Sequence, residues 1–175
     1  MNNINIHNAL KKYWGFKSFR TKQEAIINDV LIQKDTLALL PTGGGKSICY
    51  QIPALVKEGI CIVVSPLVAL MKDQTIKLQK RNINAIAITS GLNQNELDIA
   101  LDNCIYGNIK LLYVSPERLE SDLVRERIKK MNVNLIAVDE AHCISRWGHE
   151  FRPDYSRLGE YLDQLNIPRI LACTA

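Results

Sequence analysis

Thr36-Leu-Ala-Leu-Leu-Pro-Thr-Gly-Gly-Gly-Lys-Ser47 joins an apolar run directly to a glycine cluster and then to Gly-Lys-Ser. The first part, 36–40, reads as a strand, and the residues from 45 onward read as a helix. Three successive glycines leave the backbone free to turn its N–H groups inward around phosphate oxygens, at the positive end of that helix. In such a loop Thr42, Gly43, Gly44 and Gly45 form the cradle. Lys46 reaches the β- and γ-phosphates of a nucleotide, and the Ser47 hydroxyl coordinates Mg²⁺. The strict pattern has glycine where Leu40 stands, and the bland alternative is an ordinary glycine-rich turn between strand and helix.

The same unit recurs along the chain. Short apolar runs at 60–64, 85–88, 110–114, 134–138 and 169–173 read as strands. Between them lie stretches suited to helices, at 45–57, 66–80, 93–106, 116–131 and 154–164, with two more at 5–13 and 21–33 ahead of the first strand. Strands that are apolar throughout, rather than alternating, predict a parallel sheet covered on both faces. The alternation of strand and helix then predicts a three-layer α/β, doubly wound domain with right-handed crossovers. Ser65-Pro66 and Ser115-Pro116 each offer an N-cap followed by proline at the first helical position. Pro53 is expected to kink or interrupt its helix. No repeat or linker divides residues 1–175, so one domain is expected.

Asp139 and Glu140 end the 134–138 run. In an open parallel sheet, ligands gather at the carboxyl ends of the strands, so this acidic pair and the glycine loop are expected at one edge. Asp139 would hold Mg²⁺ through water and Glu140 would polarise the water that attacks the γ-phosphate; an exposed pair capping the next helix is the alternative. Beyond them, His142, Arg146, Trp147, His149, Phe151 and Arg152 follow with no apolar period to bury them. Aromatics interleaved with arginines in a loop suit unstacked bases. The competing reading makes Trp147 and Phe151 core residues of a short helix, against which Gly148 and Pro153 argue. Near the N-terminus, Phe16-Lys-Ser-Phe-Arg20 precedes Gln23. A glutamine amide both donates and accepts, which suits adenine, and Phe16 or Arg20 would stack on the ring; a surface glutamine on a helix is the plainer alternative.

Composition bounds the rest. The 175 residues are 47% hydrophobic and 23% charged, which is ordinary for one globular domain with a substantial core. No apolar run reaches the ~18 residues that span a bilayer, and Met1-Asn-Asn-Ile-Asn-Ile-His7 lacks the regions of a signal peptide, so a cytoplasmic protein without membrane association is expected. The five cysteines are odd in number and never in Cys-x-x-Cys spacing, which argues against disulfides and structural zinc. Cys61 and Cys173 are expected in the core. A net charge of +4 is compatible with a polyanion but does not demand one. The cluster Lys72, Lys77, Lys80 and Arg81 reads either as a phosphate track or as the solvated face of a helix.

With these motifs together, the chain resembles the first RecA-like lobe of RecQ-family DNA helicases, in helicase superfamily 2, from about Phe16 to Ala175. Phe19-Arg-Thr-Lys-Gln23 is similar to the family's adenine-recognition motif, and Pro41-Thr-Gly-Gly-Gly-Lys-Ser47 to its Walker A loop, where Leu40 is no anomaly. Ser65-Pro-Leu-Val-Ala-Leu-Met-Lys-Asp-Gln74 and Ser115-Pro-Glu-Arg-Leu119 resemble the two motifs that contact the DNA backbone. Asp139-Glu-Ala-His142 resembles motif II, and Cys143 to Pro153 the aromatic-rich loop that signals DNA occupancy to the ATPase. Thr174-Ala175 looks like the start of motif III, so a piece of a longer protein is expected.

The resemblance implies a RecA-like P-loop NTPase fold, ATP and Mg²⁺ as nucleotide and metal, and single-stranded and duplex DNA as partners. It implies 3′–5′ helicase activity in DNA recombination and repair. It assigns DNA binding and coupling to Lys72, Arg118, His142, Arg146, Trp147, His149, Phe151 and Arg152. It also implies a second lobe in cis that supplies arginine fingers, followed by zinc-binding and winged-helix regions. Without such a finger, worth about 10³–10⁵ in rate, this lobe is expected to bind nucleotide but hydrolyse it poorly. Two other readings fit parts of the pattern. One is a lobe of an RNA-dependent ATPase of the Asp-Glu-Ala-His type, and the other is a nucleic-acid-binding module with a vestigial pocket.

Overall fold

The computed structural model describes residues 5–144, 155–165, 167 and 169–175. In chain order the elements are α1 (Ile6–Trp14), α2 (Gln23–Leu31), β1 (Thr36–Leu39), α3 (Lys46–Val56), β2 (Ile60–Val64), α4 (Val68–Gln79), β3 (Ala85–Ile88), α5 (Gln94–Tyr106), β4 (Leu111–Val114), α6 (Pro116–Leu119), α7 (Asp122–Lys129), β5 (Val133–Val138), a 3₁₀ turn (Ala141–Ile144), α8 (Leu158–Leu165) and β6 (Ile170–Thr174). The strands form one sheet in the order β1-β6-β5-β2-β4-β3, and every pairing is parallel.

The uninterrupted apolar strands divide their side chains between two cores. Ile60, Ile62 and Val64 of β2 join Leu112, Val114, Ile136 and Val138 beneath α5, α7 and α8. Cys61 and Val63 join Leu111, Tyr113, Leu135 and Ala137 beneath α3 and α4. A strand with helices on both sides needs apolar residues at every position. Connections that travel toward β3 run through α3 and α4 on one face, and those that return toward β1 run through α5, α7 and α8 on the other. A single crossover hand requires this division. A third cluster, Ala9, Leu10 and Ile27 against Ile48 and Ile52, seats α1 and α2 on the outside of α3.

Local chemistry sets the helix ends. The Asn5 side chain accepts the His7 N–H at 2.9 Å to open α1, and Gly15 closes it at φ +73. Asn93 and Glu96 form a reciprocal capping box on α5.

Four expectations are corrected. The helix predicted over 116–131 is two helices, because Ser121 is extended and caps α7. The side chain of Arg125 then bonds the Leu119 carbonyl and Asp122 across the break. Pro53 does not interrupt α3, which continues to Val56. Proline there forfeits one helical N–H, but Ile48 to Ala54 is buried throughout, and packing on both sides holds the helix. Ser65 is not a helix cap, since α4 begins at Val68 after Leu67. Finally β1, at the sheet edge, is not covered on both faces. Ala38 is buried, but Leu37 and Leu39 are 70% and 64% exposed.

Gly59 turns the chain from α3 into β2 at φ +96, and an added Cβ would run into the main-chain oxygen of Asn132. Gly59→Ala should lower the unfolding free energy by about 1–3 kcal/mol, measured by urea denaturation.

Candidate nucleotide site

The parallel sheet brings the ends of β1 and β5 to one edge, so the glycine loop and the acidic pair share it. The loop is shaped by its glycines. Gly43 and Gly45 have φ +77 and +80, which L-residues other than glycine rarely adopt. Gly44 donates its N–H to the Pro41 carbonyl at 2.8 Å. Gly45 is the residue before α3, whose first two residues are Lys46 and Ser47. Both are half-buried, whereas Thr42 and Gly43 are exposed. The open N–H groups of this helix start can receive phosphate oxygens.

Phe16, Arg20 and Gln23 come together beside the loop. They line a cleft of about 540 Å³ with Gly43, Gly45 and Ile48. Phe16 is 49% exposed and offers its ring to the cleft. Arg20 donates Nη1 to the Gly43 carbonyl at 2.5 Å. Gln23 is buried, and its amide is occupied at both ends. Oε1 accepts the Arg20 N–H at 2.8 Å, while Nε2 donates to the carbonyls of Gly44 and Gly45 at 3.2 and 3.1 Å. In this state Gln23 ties the segment before α2 to the glycine loop, a role that spacing alone does not reveal.

Asp139 extends β5 by donating its N–H to Val64 O at 2.8 Å. The residue is only 7% exposed. Burial and the neighbouring Glu140 push its pKa up from 3.8 to about 6, against opposing pulls from the Glu140 N–H, Lys46 and His142. A buried carboxylate that Lys46 and His142 compensate only in part is the hard oxygen donor that Mg²⁺ prefers, and the Ser47 hydroxyl, on the second residue of α3, offers another oxygen at the same edge of the sheet. Ser47 and Asp139 therefore fit that ion. Glu140 adopts φ +51. Its Oε2 lies 3.4 Å from His142 Nδ1, which also lies 3.0 Å from Thr174 Oγ1 at the end of β6. His142 thus spans the acidic pair and the next strand.

Under Lys46 and Ser47 the core is polar along one line. Gln51 Nε2 donates to Tyr113 Oη at 3.2 Å and to Gln74 Oε1 of α4 at 3.1 Å, and the rings of Tyr50 and Tyr113 meet edge to face. Burial raises the pKa of both phenols, so they remain neutral. All five cysteines are buried thiols, and burial pushes Cys49 and Cys104 up to about 12.

The predicted DNA residues are distributed unevenly. Lys72 is exposed on α4. Lys77 pairs with Asp73 at 2.6 Å and Arg81 lies over the Trp14 ring, which favours the solvated-face reading for those two. Arg118 commits Nε and Nη2 to the carbonyls of Thr89 and Leu92, and so braces the turn after β3. Arg146, Trp147, His149, Phe151 and Arg152 lie outside the described residues. One residue that no sequence signal singled out is Tyr155, which is fully buried and donates its hydroxyl to the Asp139 carbonyl at 3.1 Å.

Comparison with known proteins gives the family and the fold. Residues 20–175 match the sequence profile of the DEAD/DEAH box helicase family. The chain is 46% identical over 171 residues to the probable ATP-dependent DNA helicase RecS of Bacillus subtilis, covering 97% of this chain and 34% of that protein. It is 44% identical over 167 residues to the ATP-dependent DNA helicase RecQ of Haemophilus influenzae, covering 95% of this chain and 27% of that one. The chain thus spans about a third or less of these relatives. Among solved structures, the helicase domain of Pyrococcus furiosus Hef superposes with TM-score 0.68 at 26% identity, over 90% of this chain and 32% of that one. The DUF1998 helicase MrfA bound to DNA gives TM-score 0.74 at 20% identity, over all of this chain and 25% of that one, and shares the fold.

The Asp139 shift has a consequence for stability. Its folded pKa, about 6, lies above the ordinary 3.8, so between those values the folded chain binds more protons and stability falls as pH rises. Asp139→Asn should therefore be more stable than the parent at about pH 7.5 in metal-free buffer, by about 1–3 kcal/mol. The gain should disappear below about pH 4, where both side chains are neutral; denaturant melts across that range measure it.

Proposed function

The chain belongs to the DEAD/DEAH box helicase family, and on that premise we propose that it is the ATP-binding motor lobe of an ATP-dependent DNA helicase of the RecQ type. The observation that carries the reading is the meeting, at one sheet edge, of the glycine loop, the Phe16–Arg20–Gln23 cleft and the acidic pair. The names of the relatives, ATP-dependent DNA helicases, support ATP as substrate and DNA rather than RNA as track.

Each residue then has a task. The N–H groups of Gly43, Gly45 and Lys46 cradle phosphate oxygens, and Lys46 neutralises charge on the β- and γ-phosphates. Ser47 and Asp139 would hold Mg²⁺, which would offset charge that develops on the phosphates. Glu140 takes up the proton of the attacking water, and His142 links Glu140 to Thr174. Phe16 and Arg20 flank adenine. Gln23 reads its edge once the amide exchanges a main-chain carbonyl for the base, and that exchange would release the glycine loop as nucleotide enters. Lys72 contacts the DNA backbone. Arg118 shapes the Thr89–Leu92 turn beside it. Arg146, Trp147, His149, Phe151 and Arg152 report single-stranded DNA to the acidic pair.

In the full-length protein a second lobe in cis would supply the arginine finger, with translocation 3′ to 5′ and a role in recombination and repair in the cytoplasm. No helix among the described residues is long and apolar enough to cross a membrane.

In the full-length protein, Lys46→Ala should abolish DNA-stimulated ATP hydrolysis. Trp147→Ala should keep nucleotide affinity but lose most of the stimulation. Stimulation by single-stranded DNA should exceed that by RNA of the same sequence; RNA preference would overturn the DNA assignment. This chain alone should hydrolyse ATP slower by about 10³-fold or more, while still binding it by calorimetry.

A further inference from the structure

The two peptide planes that flank Glu140 are both pinned. The plane before it carries the Asp139 carbonyl at one end and the Glu140 N–H at the other, and resonance keeps it rigid. Tyr155 donates its hydroxyl to that carbonyl at 3.1 Å. The Glu140 N–H donates to Asp139 Oδ1 at 3.1 Å. In the plane after it, the Glu140 carbonyl accepts the Cys143 N–H at 2.9 Å. With both planes held, the backbone angles of Glu140, and with them the direction of its side chain, are set. The result is φ +51, a conformation that non-glycine residues rarely adopt and that needs such support.

Among these contacts the Tyr155 hydroxyl differs in kind. The Glu140 and Cys143 bonds close within five residues of chain, whereas Tyr155 reaches back sixteen positions. Its ring is 1% exposed and packs in the core beneath α8 with Leu158, Tyr161 and Leu162. The hydroxyl is thus fixed by the core rather than by the acidic pair it holds. In sequence, Tyr155 stands three residues beyond Arg152, the last of the residues that the proposed function gives to DNA sensing.

We propose that Tyr155 is a positioning residue for Glu140, its hydroxyl holding the Asp139–Glu140 peptide so that the Glu140 carboxylate is correctly directed for hydrolysis. This rests on the proposed role of Glu140 toward water. A positioning loss should lower turnover without weakening nucleotide binding.

The test compares Tyr155→Phe with Tyr161→Phe in the full-length protein, at saturating single-stranded DNA. Tyr161 is equally a buried tyrosine of this core, and its hydroxyl meets no partner among the described residues. Tyr155→Phe should reduce kcat by about three- to tenfold, the worth of one neutral hydrogen bond, with the KM for ATP unchanged and the melting temperature close to that of the parent. Tyr161→Phe should leave kcat at the parent value. An unchanged kcat for Tyr155→Phe overturns the inference, as do equal losses in both variants or a change confined to KM. A Tyr155→Phe protein that does not fold overturns it too, since the hydroxyl would then serve the core. A parent protein without DNA-stimulated hydrolysis would instead overturn the functional reading itself, so the two failures are distinct.

Discussion

The pairing of β6 with β1 on one side and β5 on the other is the constraint on which the site depends. β6 holds Leu39 opposite Thr174 and Val138 opposite Ala172, and Leu40 continues the ladder by donating to the Thr174 carbonyl. Parallel register makes all three strands end together. The glycine loop, Thr174 and the acidic pair are therefore neighbours although they lie far apart in the chain. A one-residue slip would turn each strand's core residues to the opposite face. Because the two faces of β5 and β6 are packed by helices on either side, the core also enforces the register of those two strands.

Given that frame, electrostatics decides what the edge can do. Asp139 is a buried carboxyl with a raised pKa, opposed among charged side chains by Lys46 and then His142, and a nucleotide would also claim Lys46. The site is thus short of positive charge beside Asp139 and rich in N–H donors around the glycines. A polyanion bound together with a divalent cation satisfies both halves at once, whereas either alone leaves one half unmatched. Gln23 adds a second coupling. Its amide bridges the Arg20 N–H and the Gly44 and Gly45 carbonyls, so the conformation of the loop and that of the cleft depend on each other.

Much of this was legible in the sequence, for identifiable reasons. Interior strands such as Ile60–Val64 are apolar on both faces because both are packed, and that leaves an unmistakable run. The glycine loop is legible because its backbone angles exclude other residues. What escaped were features that depend on distant partners. Arg118 is locally a plausible phosphate ligand, but its guanidinium is taken by carbonyls at Thr89 and Leu92. Tyr155 reads as one more helix residue until the fold brings its hydroxyl to Asp139. Leu37 and Leu39 match the buried-strand pattern, yet β1 lies at the edge of the sheet. Pro53 breaks a local rule that burial of its whole helix overrides. The division of 116–131 was written in Ser121-Asp122, a cap signal set within a run that otherwise suits a single helix.

In the proposed function the under-compensated Asp139 carboxyl takes a cation brought with nucleotide to the glycine loop. Carbon-13 NMR titration of the Asp139 side-chain carboxyl measures it directly. The expected midpoint is near 6 in the free protein, moving below about 4 when Mg²⁺ and a non-hydrolysable ATP analogue are both present. An ordinary midpoint in the free protein, or a raised one that Mg²⁺ and nucleotide leave in place, would contradict it.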